Sequence, residues 1–268
     1  MDTVKHHGEV IARDLLQLIS QRYHRITRAV NIEFWNSDND SVHSLYVGSY
    51  GRGTATDTSD IDILVELPRD EYERYDAQKG NGQSRLLQAV KNAIFTTYPN
   101  SDISADGQVV VIKFSDGMKF EVLPAFKQVD RNGQPTGKYD YLDTNIGGKW
   151  RTTNPKAEQE AMREKNRLSN GLLFDTCKHM RQIRDTYFSG DKLPGIVIDS
   201  FAYHYMGGWY WPASHESSSK PVGSYEKHLY ETCPSYSIDL YAPGSGMRVE
   251  ATDSLEILNR VLKYMSTE

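Results

Sequence analysis

Cysteine is scarce in this 268-residue chain: Cys177 and Cys233 are its 2 thiols, and they form no CxxC pair. That spacing argues against a zinc ribbon or a disulfide framework. The 8 histidines are scattered, and none stands at metal-ligand spacing from a partner on a helix. No apolar run approaches the roughly 20 residues a bilayer span needs. The opening MDTVKHHGEV lacks the apolar core of a secretory signal. These absences predict a cytoplasmic protein with no membrane partner, its His6 and His7 lying in a frayed terminus. A basic excess is missing as well, the net charge being −5. Proteins that grip duplex nucleic acid carry a basic surplus, so strong duplex binding is not expected.

What is present reads as an ordinary globular chain, 38% hydrophobic and 25% charged. The length suits one large domain or two packed lobes. Ile11, Leu15, Ile19, Tyr23, Ile26 and Val30 recur every three or four residues, which predicts a long amphipathic helix. A strand is expected at 44–47, a glycine-rich turn over 48–53, and a second strand over 59–67 closed by Pro68. The polar stretch 76–82 reads as a loop, and Ser84 as the N-cap of a helix bearing Leu87, Val90, Ile94 and Tyr98. Residues 109–114 and 118–123 flank Ser115-Asp116-Gly117 as a hairpin. The segment 127–150, rich in Gly, Asp, Asn and Lys, reads as a long surface excursion.

Asn154-Pro155 marks a helix start, with proline in the first position. Helical signal runs on to about Tyr187, interrupted near Ser169-Asn170-Gly171, and a further helix begins at 200–206. Residues 212–248 read as loop, and 254–265 as a closing amphipathic helix. This order predicts an α+β protein. Residues 1–150 would form a catalytic lobe, a small mixed sheet with helices behind a long N-terminal helix. Residues 151–268 would form a helical lobe packed on it, with the active site in the cleft between them.

Chemistry concentrates in Val47 to Thr54 and Ser59 to Val65. Side chains alternate along a strand, so Asp60 and Asp62 share one face while Ile61 and Ile63 enter a core. Adjacent carboxylates raise each other's pKa, a conflict a divalent cation relieves. Glu121, between Phe120 and Val122, points to the same kind of face. If its strand pairs beside Asp60 and Asp62, three carboxylates converge. Three carboxylates suffice for two Mg²⁺ ions, one activating a 2′- or 3′-hydroxyl and one stabilising leaving pyrophosphate. Gly48-Ser49 supplies backbone N–H groups and a hydroxyl for phosphate oxygens. Arg52 is open to two roles, adding charge to the site or bracing the loop. A lone Gly-Ser turn is ordinarily a plain turn, and a lone D-x-D a solvated strand face. The combination with a third acid carries the specificity.

Gly48-Ser49-x-x-Arg52-Gly53-Thr54 followed by Ser59-Asp60-Ile61-Asp62 resembles the polymerase-β-like nucleotidyltransferase superfamily. More narrowly it resembles the bacterial cGAS/DncV-like enzymes, the CD-NTases that make cyclic oligonucleotides in CBASS antiphage signalling. Glu121-Val122-Leu123-Pro124-Ala125 is similar to their third acid, and Trp150 to Pro155 to their entry into a helix. Cys177-Lys178-His179-Met180 resembles the segment whose lysine touches nucleotide phosphates, and Asp199-Ser200-Phe201 the segment that lines the donor pocket. The resemblance thus implies Lys178 and Ser200 near phosphate and Phe201 on a base. Phe201 departs from the tyrosine many relatives carry. The likeness runs to about Met206, is dense only between Gly48 and Pro155, and includes no zinc-binding insertion.

The resemblance implies Mg²⁺, two ions, with Mn²⁺ able to substitute. It implies NTP substrates with ATP among them, a regulatory partner protein, and a separate effector that reads the product. Closure of a di- or trinucleotide ring is implied by the resemblance alone. A second reading keeps the chemistry but transfers nucleotides to RNA or protein, with Lys156, Arg163, Lys165 and Arg167 as a basic patch. A third, a non-catalytic nucleotide-binding subunit, ranks low because all three acids are present.

Overall fold

Seven strands form one mixed sheet: β1 (Ser44–Tyr46), β2 (Ile61–Glu66), β3 (Asp102–Asp106), β4 (Val109–Lys113), β5 (Lys119–Val129), β6 (Pro135–Asp143) and β7 (Lys149–Thr153). Their order is β1-β2-β5-β4-β3, with β6 joined to β5 and β7 to β6. The β2–β5 pairing is parallel and the others are antiparallel. In this computed structural model the described residues are 4–7, 11–78, 80–145, 148–213, 216 and 220–268. The N-terminal opening includes residues 1–3 and 8–10, which lie outside them. The chain divides into two units: a sheet unit, Ile11–Gly51 with Ser59–Pro155, and a helical unit, Met1–Val10, Arg52–Thr58 and Lys156–Glu268.

In the sheet unit, alternation sets which face each strand buries. Ile61, Ile63 and Val65 of β2, Phe120 and Val122 of β5, and Val110 and Ile112 of β4 enter one core. That core is shared with α1 (Arg13–Trp35) through Ile19, Tyr23, Ile26 and Val30, and with α4 (Gly82–Thr97) through Leu86, Leu87, Val90 and Ile94. Asp62 and Glu121 therefore emerge on the opposite face.

Several expectations need correction. Residues 127–150 are no excursion: β5 continues to Val129, and β6 and β7 return beside it. Tyr139 and Leu142 are buried by this meander, while Pro135–Lys138 is exposed and masks the strand pattern. Residues 48–53 hold a helical turn, α2 (Gly48–Arg52), rather than an open glycine turn. The loop expected over 76–82 is present between α3 (Arg69–Asp76), a helix not anticipated after Pro68, and α4, with residue 79 outside the described residues. Asn81, not Ser84, precedes α4, and Gly82 is needed there because a Cβ would lie 1.9 Å from the Tyr75 carbonyl oxygen.

The helical unit contains α5 (Pro155–Leu168), α6 (Leu172–Tyr187), α7 (Gly195–Tyr205), α8 (Ser224–Thr232) and α9 (Leu255–Thr267), with a two-stranded ribbon, β8 (Leu240–Tyr241) and β9 (Arg248–Val249). The α5–α6 break falls where expected, Asn170 and Gly171 taking φ of 52° and 94°. The next helix starts at Gly195 rather than 200, and α8 and the ribbon lie inside the stretch expected as loop. Cys177 and Cys233 are buried and free. His6 is not frayed: its ring stacks on Trp211 at 4.1 Å and its Nδ1 lies 3.0 Å from Asp175. Among the described residues no helix is long and apolar enough to cross a membrane.

Candidate active site

The parallel pairing of β2 with β5 sets Asp62 directly opposite Glu121. Ile61 faces Phe120 in the same register, so one step back places Asp60 beside Lys119 at the mouth of the two strands. The Lys119 ammonium lies 2.8 Å from Asp60 Oδ2 and 2.6 Å from Glu121 Oε1. Burial alone would lower its pKa, but the bonds to Asp60 and Glu121 outweigh burial and raise it. The Asp60 and Glu121 side chains keep 48% and 29% of their exposure, so both are open to a ligand.

Gly48 abuts this cluster. A Cβ there would stand 1.9 Å from Asp62 Oδ2, and the residue has φ +57°. Only glycine meets both conditions. The Val47 amide donates to the Asp62 carbonyl at 2.9 Å, and the Gly51 amide to the Val47 carbonyl at 2.9 Å. These two bonds fix α2 against the start of β2, so the first-turn amides of Gly48 and Ser49 sit beside the carboxylates. Next to Glu121 the sheet face opens into a polar concavity of about 510 Å³, bordered by Ser104, Gln108, Lys113, Lys119 and Asn145.

The other site residues belong to the helical unit. Arg52 Nε donates to Asp199 Oδ2 at 2.8 Å and Nη1 to Glu158 Oε2 at 3.2 Å. Of its two open roles, these bonds are those of a brace. Burial pushes the Glu158 carboxyl up, with Arg52 working against it. Lys178 on α6 is half-buried, and burial pulls its ammonium below the ordinary value. Ser200 on α7 is fully buried, and its hydroxyl has no hydrogen-bond partner. Phe201 corrects the expectation of a base-stacking ring: it is fully buried in the helical core and stacks on Tyr205 at 4.7 Å. Val197, Ile198 and Ala202 share that inward stripe of α7 and carry Phe201 with them.

Two residues that matter were missed. Lys119 stands two positions before Glu121 on the same strand face, a signal alternation alone could have supplied. Asp199, which gathers Arg52, Arg181 and Thr54, left no local signal because Arg52 and Thr54 are more than a hundred positions away. Three of the four residues of the suggested basic patch on α5 are already engaged. Arg163 and Arg167 pair within the helix with Glu160 and Glu164, and Lys165 turns to the Tyr203 carbonyl.

Among the described residues, no three His, Cys, Asp or Glu side chains are already gathered into a metal cage. The donor set nevertheless fits a hard cation. Asp60, Asp62 and Glu121 offer carboxylate oxygens only, and the place between Asp60 and Glu121 already attracts a cation, the Lys119 ammonium.

A mixed sheet with acids on adjacent parallel strands, beside a Gly-Ser helical turn, has the architecture of a polymerase-β-like nucleotidyltransferase. Residues 10–166 match the profile of the Second Messenger Oligonucleotide or Dinucleotide Synthetase domain. This is more than half of the chain, which belongs to that family and is a nucleotidyltransferase. No curated protein sequence matches it. Among solved structures it is similar to a mutant of the Vibrio cholerae di-nucleotide cyclase, with TM-score 0.66 at 12% identity over 96% of this chain and 86% of that one. It is similar to the Elizabethkingia meningoseptica CdnE cyclic dinucleotide synthase with GTP and Apcpp, with TM-score 0.59 at 16% identity over 92% and 89%. The CdnC of an E. coli MS115-1 CdnC:HORMA complex gives TM-score 0.62 at 11% identity over 95% and 84%. At these identities the likeness establishes the fold.

Proposed function

We propose that this chain joins NTPs into a cyclic di- or trinucleotide second messenger for antiphage defence, releasing pyrophosphate, with Asp60, Asp62 and Glu121 as its metal-holding acids. The observation that carries this reading is the in-register placement of Asp62 opposite Glu121, with Asp60 at the same strand mouth. When bound there, Mg²⁺, or Mn²⁺ in its place, supplies the positive charge that acidifies the acceptor hydroxyl and offsets charge on the leaving pyrophosphate.

The chain's own residues do the rest. Gly48 lets the backbone approach the triphosphate, and the Ser49 hydroxyl donates to a terminal phosphate oxygen. Glu121, beside the polar concavity, receives the proton of the acceptor hydroxyl as its oxygen bonds the α-phosphorus and the bond to pyrophosphate breaks. Ser104, Gln108 and Asn145 offer donors and acceptors to the acceptor nucleoside. Lys178 and the unpartnered Ser200 hydroxyl hold donor phosphates. Arg52 keeps its segment in place through Asp199, and Phe201 holds the core.

ATP is proposed among the substrates, in line with the Apcpp in the Elizabethkingia structure. A regulatory partner protein is proposed because the similar CdnC is solved with a HORMA protein. A cytoplasmic location and a separate effector complete the proposal. The test is incubation of the protein with Mg²⁺ and every pairing of the four NTPs, then phosphatase treatment and mass spectrometry. A phosphatase-resistant oligonucleotide that vanishes in the Asp60→Asn/Asp62→Asn protein is expected. Labelled RNA or protein instead, formed on addition of cell extract, would overturn the cyclic-product reading.

A further inference from the structure

Lys119 and Glu121 lie two residues apart on β5 and share a face, so the strand delivers a cation and an acid to one place. The ammonium reaches Glu121 Oε1 at 2.6 Å and, across the strand mouth, Asp60 Oδ2 at 2.8 Å. Two of the three acids thus carry a positive charge that the chain itself supplies. An ammonium and a divalent ion repel strongly at such range, so the metal and Lys119 compete for the same oxygens. Lys119 also borders the polar concavity beside Glu121, where the triphosphate of the acceptor nucleotide would offer it another anion.

We propose that Lys119 is a resident counter-cation of the acid cluster, yielding Asp60 and Glu121 to metal only when nucleotide phosphates arrive to receive it. This rests on the reading of Asp60, Asp62 and Glu121 as metal ligands. Before substrate binds, the ammonium keeps like charges from pushing the carboxylates apart and keeps stray divalent ions out. Its release makes metal and nucleotide bind as a coupled pair, and such coupling is reciprocal. Lys119 is therefore a positioning residue.

The test is Mn²⁺ binding, read from the free-ion electron paramagnetic resonance signal, with and without a non-hydrolysable ATP analogue. It compares the unmodified protein with Lys119→Met, Lys119→Arg and Asp60→Asn, each checked for folding by circular dichroism. Lys119→Gln replaces Lys119→Met if the latter does not fold. Without nucleotide, Lys119→Met should bind Mn²⁺ about tenfold tighter than the unmodified protein, and Lys119→Arg should restore the weak binding. The analogue should tighten Mn²⁺ binding strongly in the unmodified protein and little in Lys119→Met. If Lys119→Met binds no tighter while Asp60→Asn loses the ion, the metal reading stands and the counter-cation is overturned. If Asp60→Asn changes nothing in any condition, the metal reading falls and the inference falls with it.

Discussion

Arg52 Nε and Asp199 Oδ2 meet at 2.8 Å across 147 positions of sequence, at a fully buried carboxylate. The same carboxylate receives Arg181 through Nη1 at 2.7 Å and Nη2 at 2.9 Å, and the Thr54 hydroxyl at 3.0 Å. Removing it leaves the buried Arg181 guanidinium with carbonyl partners alone and Arg52 with Glu158 alone. Asp199→Ala should cost about 3–5 kcal/mol, read as a lower urea midpoint. An unchanged midpoint would remove Asp199 as the anchor of residues 52–58.

The same group predicts a pH dependence. Burial alone would raise the Asp199 pKa, but Arg181 and then Arg52 outweigh burial and hold it at about 2, below the ordinary 3.8. A depressed folded-state value means the stabilisation is whole above the ordinary value and is lost as pH falls from 3.8 toward 2. Unfolding midpoints of Asp199→Asn should therefore change less across that acid window than those of the unmodified protein. Parallel acid curves would contradict this.

At Gly48 the expected failure is catalytic. Gly48→Ala places a methyl group where Asp62 Oδ2 now lies, at a φ of +57° that disfavours alanine. A shift of about 1 Å in a reacting group can lower rate by about 10²-fold, and a loss of that order is expected in pyrophosphate release. Turnover within twofold of normal would mean that Asp62 relaxes without penalty.

Ser200 separates a phosphate donor from a packing residue. Its hydroxyl is buried without a partner, a condition that costs about 1–3 kcal/mol. Ser200→Ala should leave the melting temperature unchanged or raise it, while increasing the KM for NTP. A lower melting temperature with unaltered KM would return Ser200 to the core.

Asp60→Asn/Asp62→Asn should lower turnover by about 10³-fold or more, the several kcal/mol of charge stabilisation a metal site supplies. Neither residue enters the hydrophobic core, so circular dichroism and thermal unfolding should stay near those of the unmodified protein. Retained product in the mass-spectrometric assay would sink the assignment of these acids.

The acid cluster was legible because its information is short-range. Alternation at Asp62 and Glu121 fixes their face, Asp60 standing one residue before β2, and Phe120 and Val122 fix the neighbouring strand's orientation. The long first helix and the break at Asn170-Gly171 were legible for the same reason, a period or a turn residue close by. What lay hidden depended on distant partners or on polar surroundings. Arg52 keeps its two readings, site charge or brace, until Asp199 is seen beside it. Phe201 reads as a base platform until the inward stripe of α7 is in view. The strands β6 and β7 carry so much polar, turn-forming sequence that only their pairing reveals them.

Pro124 sits in β5 where the strand leaves its antiparallel partner β4, last paired at Val122, and has not yet met β6, first paired at Ala125. A residue without an amide proton falls at the seam between two ladders, where that donor is least missed. The seam also partitions what can vary. Glu121 and Asp62 take their alignment from the pairing of β5 with β2 and β4, while the exposed turn between β5 and β6 lies at the far end of the β5–β6 ladder. Residues 131–134 are thus a natural place for a lineage to lengthen the chain, or for an experimenter to insert a label, without re-registering the acids.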